Sequence, residues 1–400
     1  MASQKTIDIV KSTAPVLAVH GATITKVFYQ LLLQNHPELK NVFNMTHQAH
    51  GTQPQALANA IFAYAANIDN LAVLSSAVEQ ITQKHSSLSI TPAMYQLVGT
   101  NLLAAIKEVL QDAATPEIME AWTEAYNDLA TLFINKEEQL YRAAEAKKGG
   151  FRGPKDFIVT KKEAESNIIT SFYLRPADGS VIPSFRGGQY VAVSIQIPDL
   201  EHLHTRNYSL SGCPTQNSLR ISVKKEIGSP NGIVSNYLHD HIVVGDIIKL
   251  GIPAGEFVLQ ETQKPIVLIA GGVGITPLMS MFMEQFHYGQ NEVLFVQCAK
   301  NSAVHAFKDV SQKLAKQKDS LQVISLYDEP LETDESDNIH QFSGLLSIDI
   351  LQEKLGHLDA EYYFCGPVGF MKSVKNMLES AGVPSTQLHY EFFGPSEALA

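Results

Sequence analysis

The sequence predicts three unlike folds in succession: an all-α domain, an antiparallel β-barrel, and an α/β domain built on a parallel sheet. Three observations carry this. Residues 1–145 repeat apolar positions at spacings of three and four, without strand-like alternation. Residues 155–260 break into short strands separated by Gly and Pro turns. From 261 to 400, strands alternate with helical stretches. The texture changes at residues 146–154, where Lys147-Lys148-Gly149-Gly150-Phe151-Arg152-Gly153-Pro154 reads as a linker. A length of 400 residues suits two or three domains.

In the first domain the helical pattern covers 24–33, 57–68, 74–81, 95–110 and 122–134. Thr91-Pro92 and Thr115-Pro116-Glu117 are cap-plus-proline helix starts, and Asn35-His36-Pro37 is a turn. The barrel strands fall at 157–160, 168–174, 190–197, 207–211, 219–224 and 247–250, with one helix at 234–240. The α/β strands fall at 266–270, 293–297, 321–326 and 362–365, and the acidic run 328–337 reads as a solvated loop.

Composition narrows the function. Charge is spread evenly: 8 basic and 13 acidic side chains in residues 1–145, then 22 and 28 in the rest. No segment is basic enough to displace counterions from a nucleic-acid backbone, so that partner is not expected. Cys213, Cys298 and Cys365 are too few and too scattered for a disulfide framework or a cysteine metal site, which suits a reducing cytoplasm. Lys5, Asp8 and Lys11 precede any apolar stretch, so no signal segment is expected. The uncharged window 265–283 is long enough to span a membrane, but its glycines and Pro277 divide it into a strand and a helix. A cytoplasmic monomer without stable membrane association is expected.

Chemistry first shows in the last third. Gly271-Gly272-Val273-Gly274-Ile275-Thr276-Pro277 follows an apolar strand and opens a helix, with Thr276 placed to cap and Pro277 at the first helical position. A glycine turn that delivers a helix N-terminus is how a fold holds a dinucleotide pyrophosphate. Pro277 stands where the third glycine of Gly-x-Gly-x-x-Gly would be, which argues against an ordinary Rossmann dehydrogenase. Cys365-Gly366-Pro367 and Phe392-Phe393-Gly394-Pro395 follow in order. Upstream, Arg206-Asn207-Tyr208-Ser209 sets an arginine and a tyrosine on one strand face, a charged fork for phosphate and a flat surface for an aromatic ring. Gly232-Ile233-Val234-Ser235 opens the barrel's helix as a second amide-lined anion site.

Singly each motif is weak, since an Arg-x-Tyr is usually strand packing. Their order resembles the ferredoxin–NADP⁺-reductase superfamily, in which a barrel holds FAD and an α/β domain holds NAD(P)H. The resemblance implies that Tyr190, Arg206, Asn207, Tyr208, Ser209, Gly232, Val234 and Ser235 hold the flavin, joined by Glu391, Phe392, Phe393, Gly394 and Pro395. Phe393 would cover the isoalloxazine until nicotinamide displaces it. Gly272, Val273, Gly274, Ile275, Thr276 and Pro277 would hold the nicotinamide nucleotide, with Cys365, Gly366 and Pro367 bordering its ring.

In the helical domain, His85 ends the stripe Val78, Ile81, Thr82, His85. Alone, it reads as a histidine donating to the last carbonyls of a helix, with metal ligation the second reading. His20 precedes a turn glycine, and His47 and His50 lie in a polar stretch. Tyr29, Phe43, Gln53, Leu57 and then His85, with Asn35-His36-Pro37-Glu38-Leu39 and Phe133-Ile134-Asn135-Lys136-Glu137, follow the order of a globin haem pocket. Joined to the reductase half, the whole chain resembles the flavohaemoglobins. That resemblance implies haem b on proximal His85, with Tyr95 and Glu137 bonded to the imidazole, and Tyr29 and Gln53 facing the bound ligand. Phe43, Leu57 and Lys84 would complete the pocket. Pro54 follows Gln53 directly, so Gln53 should stand near a helix start.

The implied activity is nitric oxide dioxygenation: two NO and two O₂ are consumed per NAD(P)H, yielding two nitrate. Hydride passes to FAD, and electrons pass on to a haem that binds O₂. The segment Ala299-Lys300-Asn301-Ser302 suits NADH and NADPH equally. An O₂ or NO sensor is a rival, disfavoured because no output domain follows residue 400. A general NAD(P)H diaphorase is another, disfavoured by the complete haem-pocket set.

Overall fold

The helices of the N-terminal part are made by their apolar faces, since few carry a strong cap. In the computed structural model, which describes all residues except 1, 46, 47, 49, 50, 215, 337–339 and 395–400, they run Gln4–Ser12, Ala14–Asn35, Thr52–Ala66, Ser75–Ser87, Pro92–Leu110 and Pro116–Ala146. Ser3 and Thr115 cap the first and last of these through their hydroxyls. Thr91 holds the cap position and an extended backbone, but its side chain makes no capping bond, contrary to the sequence expectation.

Helix Ala14–Asn35 is the centrepiece. It packs on Thr52–Ala66 and on Pro92–Leu110 and buries Leu17, Ile24, Phe28, Tyr29 and Leu32. Full burial of such side chains contributes roughly 1.5–3 kcal/mol each. By length and composition alone this helix could cross a membrane. The window 265–283 instead resolves into a strand and a helix, as expected.

The second part begins with β1 (Lys155–Ala164), β2 (Ile169–Pro176), β3 (Tyr190–Gln196), β4 (Leu203–Ser209), β5 (Leu219–Lys224) and β6 (Ile247–Leu250). They form one sheet in the order β4-β3-β6-β1-β2-β5. Its two edges meet just past β4, where Leu210 bridges Ile221 of β5 and the Ser211 amide donates to the Arg220 carbonyl at 2.8 Å. That closure makes the barrel and leaves no exposed edge there. Helix Ile233–Asp240 packs against β5.

The third part is a parallel sheet, β10-β9-β8-β7-β11-β12. Its strands are β7 (Ile266–Gly271), β8 (Val293–Ala299), β9 (Leu321–Tyr327), β10 (Phe342–Ser343), β11 (Glu361–Cys365) and β12 (Leu388–Tyr390). β7 is buried at every residue, the pattern of a strand covered on both faces. The acidic run is not wholly a loop, because it contains helix Glu332–Ser336. Asp334 within it is buried, accepting from the Ser302 amide at 3.1 Å and the Leu331 amide at 3.0 Å. A carboxylate with two backbone donors can leave water where an unpaired one cannot.

Contacts group the chain into two compact units. One comprises Met1–Lys147, Phe151–Pro154 and Ser194–Arg206; the other comprises Lys148–Gly150, Lys155–Val193 and Asn207–Ala400. The grouping cuts through the span 155–260. Within the first unit, Asn41 accepts the Leu203 amide at 2.8 Å on Oδ1, and its carbonyl accepts the Thr205 hydroxyl at 3.4 Å.

Candidate functional site

Three helices converge on one imidazole. His85 lies in the last turn of Ser75–Ser87, Tyr95 in the first turn of Pro92–Leu110, and Glu137 within Pro116–Ala146. His85 Nδ1 stands 2.8 Å from Glu137 Oε1 and 2.9 Å from the Tyr95 hydroxyl. The Tyr95 hydroxyl donates to the same carboxylate oxygen. Its proton is therefore spent on Glu137, which assigns the Nδ1 proton to a bond with Glu137 and leaves Nε2 with its lone pair. Glu137 is 2% exposed; two donors hold a carboxylate that burial would otherwise penalise. Burial, then the Glu137 bond, pushes the Tyr95 pKa well up. Phe133 closes this side, its ring centroid 6.0 Å from that of His85. Neighbouring Lys84 is exposed, yet the protein around it lowers its pKa through desolvation.

A second cluster surrounds Tyr29. Its hydroxyl is buried, and burial raises its pKa to about 12. The side chains of Gln48 and Gln53 hydrogen-bond it. Each amide has its other end stranded: Gln48 Nε2 and Gln53 Oε1 are buried without a partner. Gln53 stands at the second position of helix Thr52–Ala66, as Pro54 required. Phe43 meets Tyr29 edge-on at 5.5 Å, and Leu57 packs on the same core. Buried donors and acceptors without partners are rare in folded proteins and mark a place for a polar guest. Gln48 was missed by sequence reasoning, because a glutamine in the polar stretch around His47 and His50 carries no local signal. Those two histidines and Pro395 lie outside the described residues.

The flavin candidates sit on strand β4 and beside it. Arg206 and Tyr208 are half-buried at alternate positions, Asn207 is exposed and Ser209 buried. Arg206 Nη1 donates to the Thr205 carbonyl at 2.7 Å. Tyr190 opens β3. Gly232 is the N-cap of helix Ile233–Asp240 and supplies no side-chain cap. Val234 is buried, so only its amide can serve a ligand, and the Ser235 hydroxyl turns back to the Gly232 carbonyl at 3.4 Å.

At the nucleotide turn, β7 ends and Gly272–Gly274 winds as a short 3₁₀ turn into helix Ile275–Tyr288. Thr276 is thus the second helical residue, not the cap; its hydroxyl donates to the Val273 carbonyl at 3.0 Å. The 3₁₀ turn starts the winding early and moves the cap to Gly274. Pro277 falls third in the helix rather than first, still inside the turn that tolerates it. Ile275, Thr276 and Pro277 are buried, so they offer backbone alone, and Pro277 has no N–H to offer. A Cβ on Gly274 would collide with the Cys365 carbonyl, so this glycine lets the two motifs touch backbone to backbone. Phe370 wedges against Gly271 and Gly366. The Cys365 thiol is fully buried, which pushes its pKa well up, and it lies 3.4 Å from the Glu391 carbonyl. Burial raises the Glu391 carboxyl to about 8. Phe392 packs on the sheet core, while Phe393 is 49% exposed and Gly394 is exposed.

The fold and these clusters define a globin joined to an oxidoreductase. The globin family profile matches residues 26–132, and the oxidoreductase NAD-binding domain profile matches 268–376. The flavohemoprotein of Halalkalibacterium halodurans is 48% identical, covering 100% of this chain and 98% of its own. That of Rhizobium meliloti is 47% identical, covering 99% of each. The flavohemoglobin of Malassezia yamatoensis, solved with bound FAD and heme, superposes with a TM-score of 0.86 at 27% identity, covering 98% of this chain and 99% of its own. The FAD/NAD-binding domain of the nitric oxide dioxygenase of Vibrio cholerae O1 biovar El Tor covers 60% of this chain and 99% of its own, at 32% identity and a TM-score of 0.55. The chain belongs to the flavohemoprotein family and is an oxidoreductase.

Proposed function

We propose that this flavohemoprotein is a nitric oxide dioxygenase driven by NAD(P)H, with a haem domain at 1–145, an FAD barrel at 155–260 and a nucleotide domain at 261–400. Its cofactors are haem b, FAD and the nicotinamide nucleotide. The donor sets fit them: a histidine with Nε2 free to ligate, stranded polar atoms beside Tyr29, and two uncapped helix starts after glycine. When bound, NAD(P)H supplies hydride, FAD divides it into single electrons, and haem iron supplies the centre at which O₂ meets NO.

The chain's own residues do the rest. Glu137 accepts the Nδ1 proton of His85, fixing the ring plane and making Nε2 a stronger donor. The Tyr29 hydroxyl, once a ligand replaces the Gln48 oxygen as acceptor of its single proton, offers a buried donor where a hydrogen bond to developing negative charge is worth most. Gln48 and Gln53 hold that hydroxyl in place. Phe43 and Leu57 keep water out. On the reductase side, Arg206 would pair with flavin phosphate and Tyr208 would stack on its ring. The amides that open the Gly272–Gly274 turn would face the nucleotide pyrophosphate.

The observation that carries the dioxygenase reading is the buried Tyr29 hydroxyl flanked by two half-satisfied amides. A ferric-haem reductase or diaphorase has no use for that arrangement. The Vibrio cholerae relative, a part of a nitric oxide dioxygenase, supports the same reading. The test is aerobic NO consumption by purified protein that shows both a Soret band and flavin absorption. Two NO removed and two nitrate formed per NAD(P)H are expected; NAD(P)H oxidation that NO does not accelerate would overturn the reading.

A further inference from the structure

The two helices that open on the glycine turns share a device at their opposite ends. Helix Ile233–Asp240 starts at Gly232 and helix Ile275–Tyr288 at Gly274, and neither has a side-chain cap at its N-terminus. The first amides of Ile233–Asp240 are left unspent; on the second helix the Ile275 amide already donates to the Gly272 and Val273 carbonyls, so the unspent amides there are those that open the 3₁₀ turn Gly272–Gly274. At the C-terminus of the first helix, Lys162 Nζ donates to the carbonyls of Leu238 at 3.3 Å, His239 at 2.7 Å and Ile242 at 2.8 Å. At the C-terminus of the second, Lys318 Nζ donates to Gln285 at 2.7 Å, Phe286 at 3.1 Å and Gly289 at 2.7 Å. In both cases one ammonium takes two of the helix's last four carbonyls and a third just beyond its end. The lysines come from unrelated places, Lys162 from β1 and Lys318 from the turn before β9. Lysines elsewhere, such as Lys161, Lys249 and Lys264, donate to carboxylates instead.

The physical consequence is directional. A helix carries partial positive charge at its N-terminus and negative charge at its C-terminus, and a cation at the latter stabilises it. Helix Ile233–Asp240 has eight residues, a length that does not hold its shape alone. Three ammonium bonds pin the far end, so the near end keeps its amides aimed at one point. Lys162 spans from β1 to this helix, and Lys318 ties Ile275–Tyr288 to the turn leading into β9.

We propose that Lys162 and Lys318 are positioning residues, a matched pair of C-terminal clamps that set the phosphate affinity of the flavin helix and the nicotinamide-nucleotide helix respectively. The proposal rests on the assignment of those helix starts to the two nucleotides. Neither lysine touches a nucleotide; each acts through its helix.

The test uses the full-length holoenzyme with Lys162→Met, Lys318→Met and the two Lys→Arg variants. FAD retention is read from flavin fluorescence released on dilution. Nucleotide affinity is read from the KM for NADH with ferricyanide and from the Ki of ADP-ribose. Lys162→Met should weaken FAD retention about five- to tenfold and leave the ADP-ribose Ki within twofold. Lys318→Met should raise the NADH KM and ADP-ribose Ki by a similar factor, hold kcat within twofold, and leave FAD retention alone. Reduced N-benzylnicotinamide, which has no phosphate, should react equally well with wild type and Lys318→Met. Arginine at either place should restore most of the affinity. A fall in melting temperature shared by both Met variants, with no selective change in either nucleotide, would overturn the clamps. If ADP-ribose fails to compete with NADH in the wild type, the nucleotide assignment itself falls; if it competes but its Ki ignores Lys318→Met, the Lys318 clamp alone falls.

Discussion

The haem half and the reductase half build their sites from different material. On the proposed reading, the working groups around His85 and Tyr29 are side chains drawn from distant stretches: Tyr29, Gln48, Gln53, His85, Tyr95 and Glu137 span over a hundred positions. At the two glycine turns the proposed working groups are backbone amides within a few consecutive residues, and the side chains of Val234, Ile275, Thr276 and Pro277 are buried. A side-chain site depends on each residue's chemistry, so single substitutions should remove function outright. A backbone site depends on the path of the chain, so substitutions there should shift affinity by degrees.

The largest expected effect sharpens that contrast. His85→Ala should abolish haem-dependent NO consumption, because the bonds to Glu137 and Tyr95 single out this imidazole on the proximal side. Ferricyanide reduction by NAD(P)H should persist. Full haem content and full NO turnover in the variant would mean that another residue ligates.

Tyr29→Phe comes next. Loss of one hydrogen bond to a charged acceptor costs about 1.5–3 kcal/mol, or roughly ten- to 150-fold in O₂ release. Stopped-flow O₂ dissociation measures it, with flavin reduction unchanged; an unaltered release rate would remove Tyr29 from the ligand side.

Phe393→Ser should act more gently. Its ring is about half exposed; if it covers the flavin as the family resemblance implies, removing it should tighten NAD⁺ binding several-fold without releasing FAD. Loss of FAD at constant NAD⁺ affinity would assign Phe393 to flavin retention instead.

The same difference in material explains what the sequence revealed. Strands 219–224 and 247–250 appear where alternation and turns put them. The glycine motifs were legible as turns into helices because such a turn is written in adjacent residues. Strand β12, three residues long, was not seen, since its pairing with β11 supplies what its own pattern lacks. Nor was the burial of Asp334, which depends on donors from Ser302 and Leu331. The His85–Tyr95–Glu137 cluster was legible only through family resemblance, because residues 85, 95 and 137 meet by helix packing, which no local spacing encodes. Gln48 lacked even that help.

On the proposed reading, NO removal needs the haem half re-reduced by a flavin held close by. Cutting the chain between Lys148 and Gly153 tests it most directly. The N-terminal piece should bind haem and O₂, and the C-terminal piece should oxidise NAD(P)H with ferricyanide. Mixed at micromolar concentration, the pieces lose the millimolar effective concentration of a short tether, so NO consumption should recover only weakly and rise with concentration. NO consumption by the C-terminal piece alone, at the rate of the intact protein, would contradict the account.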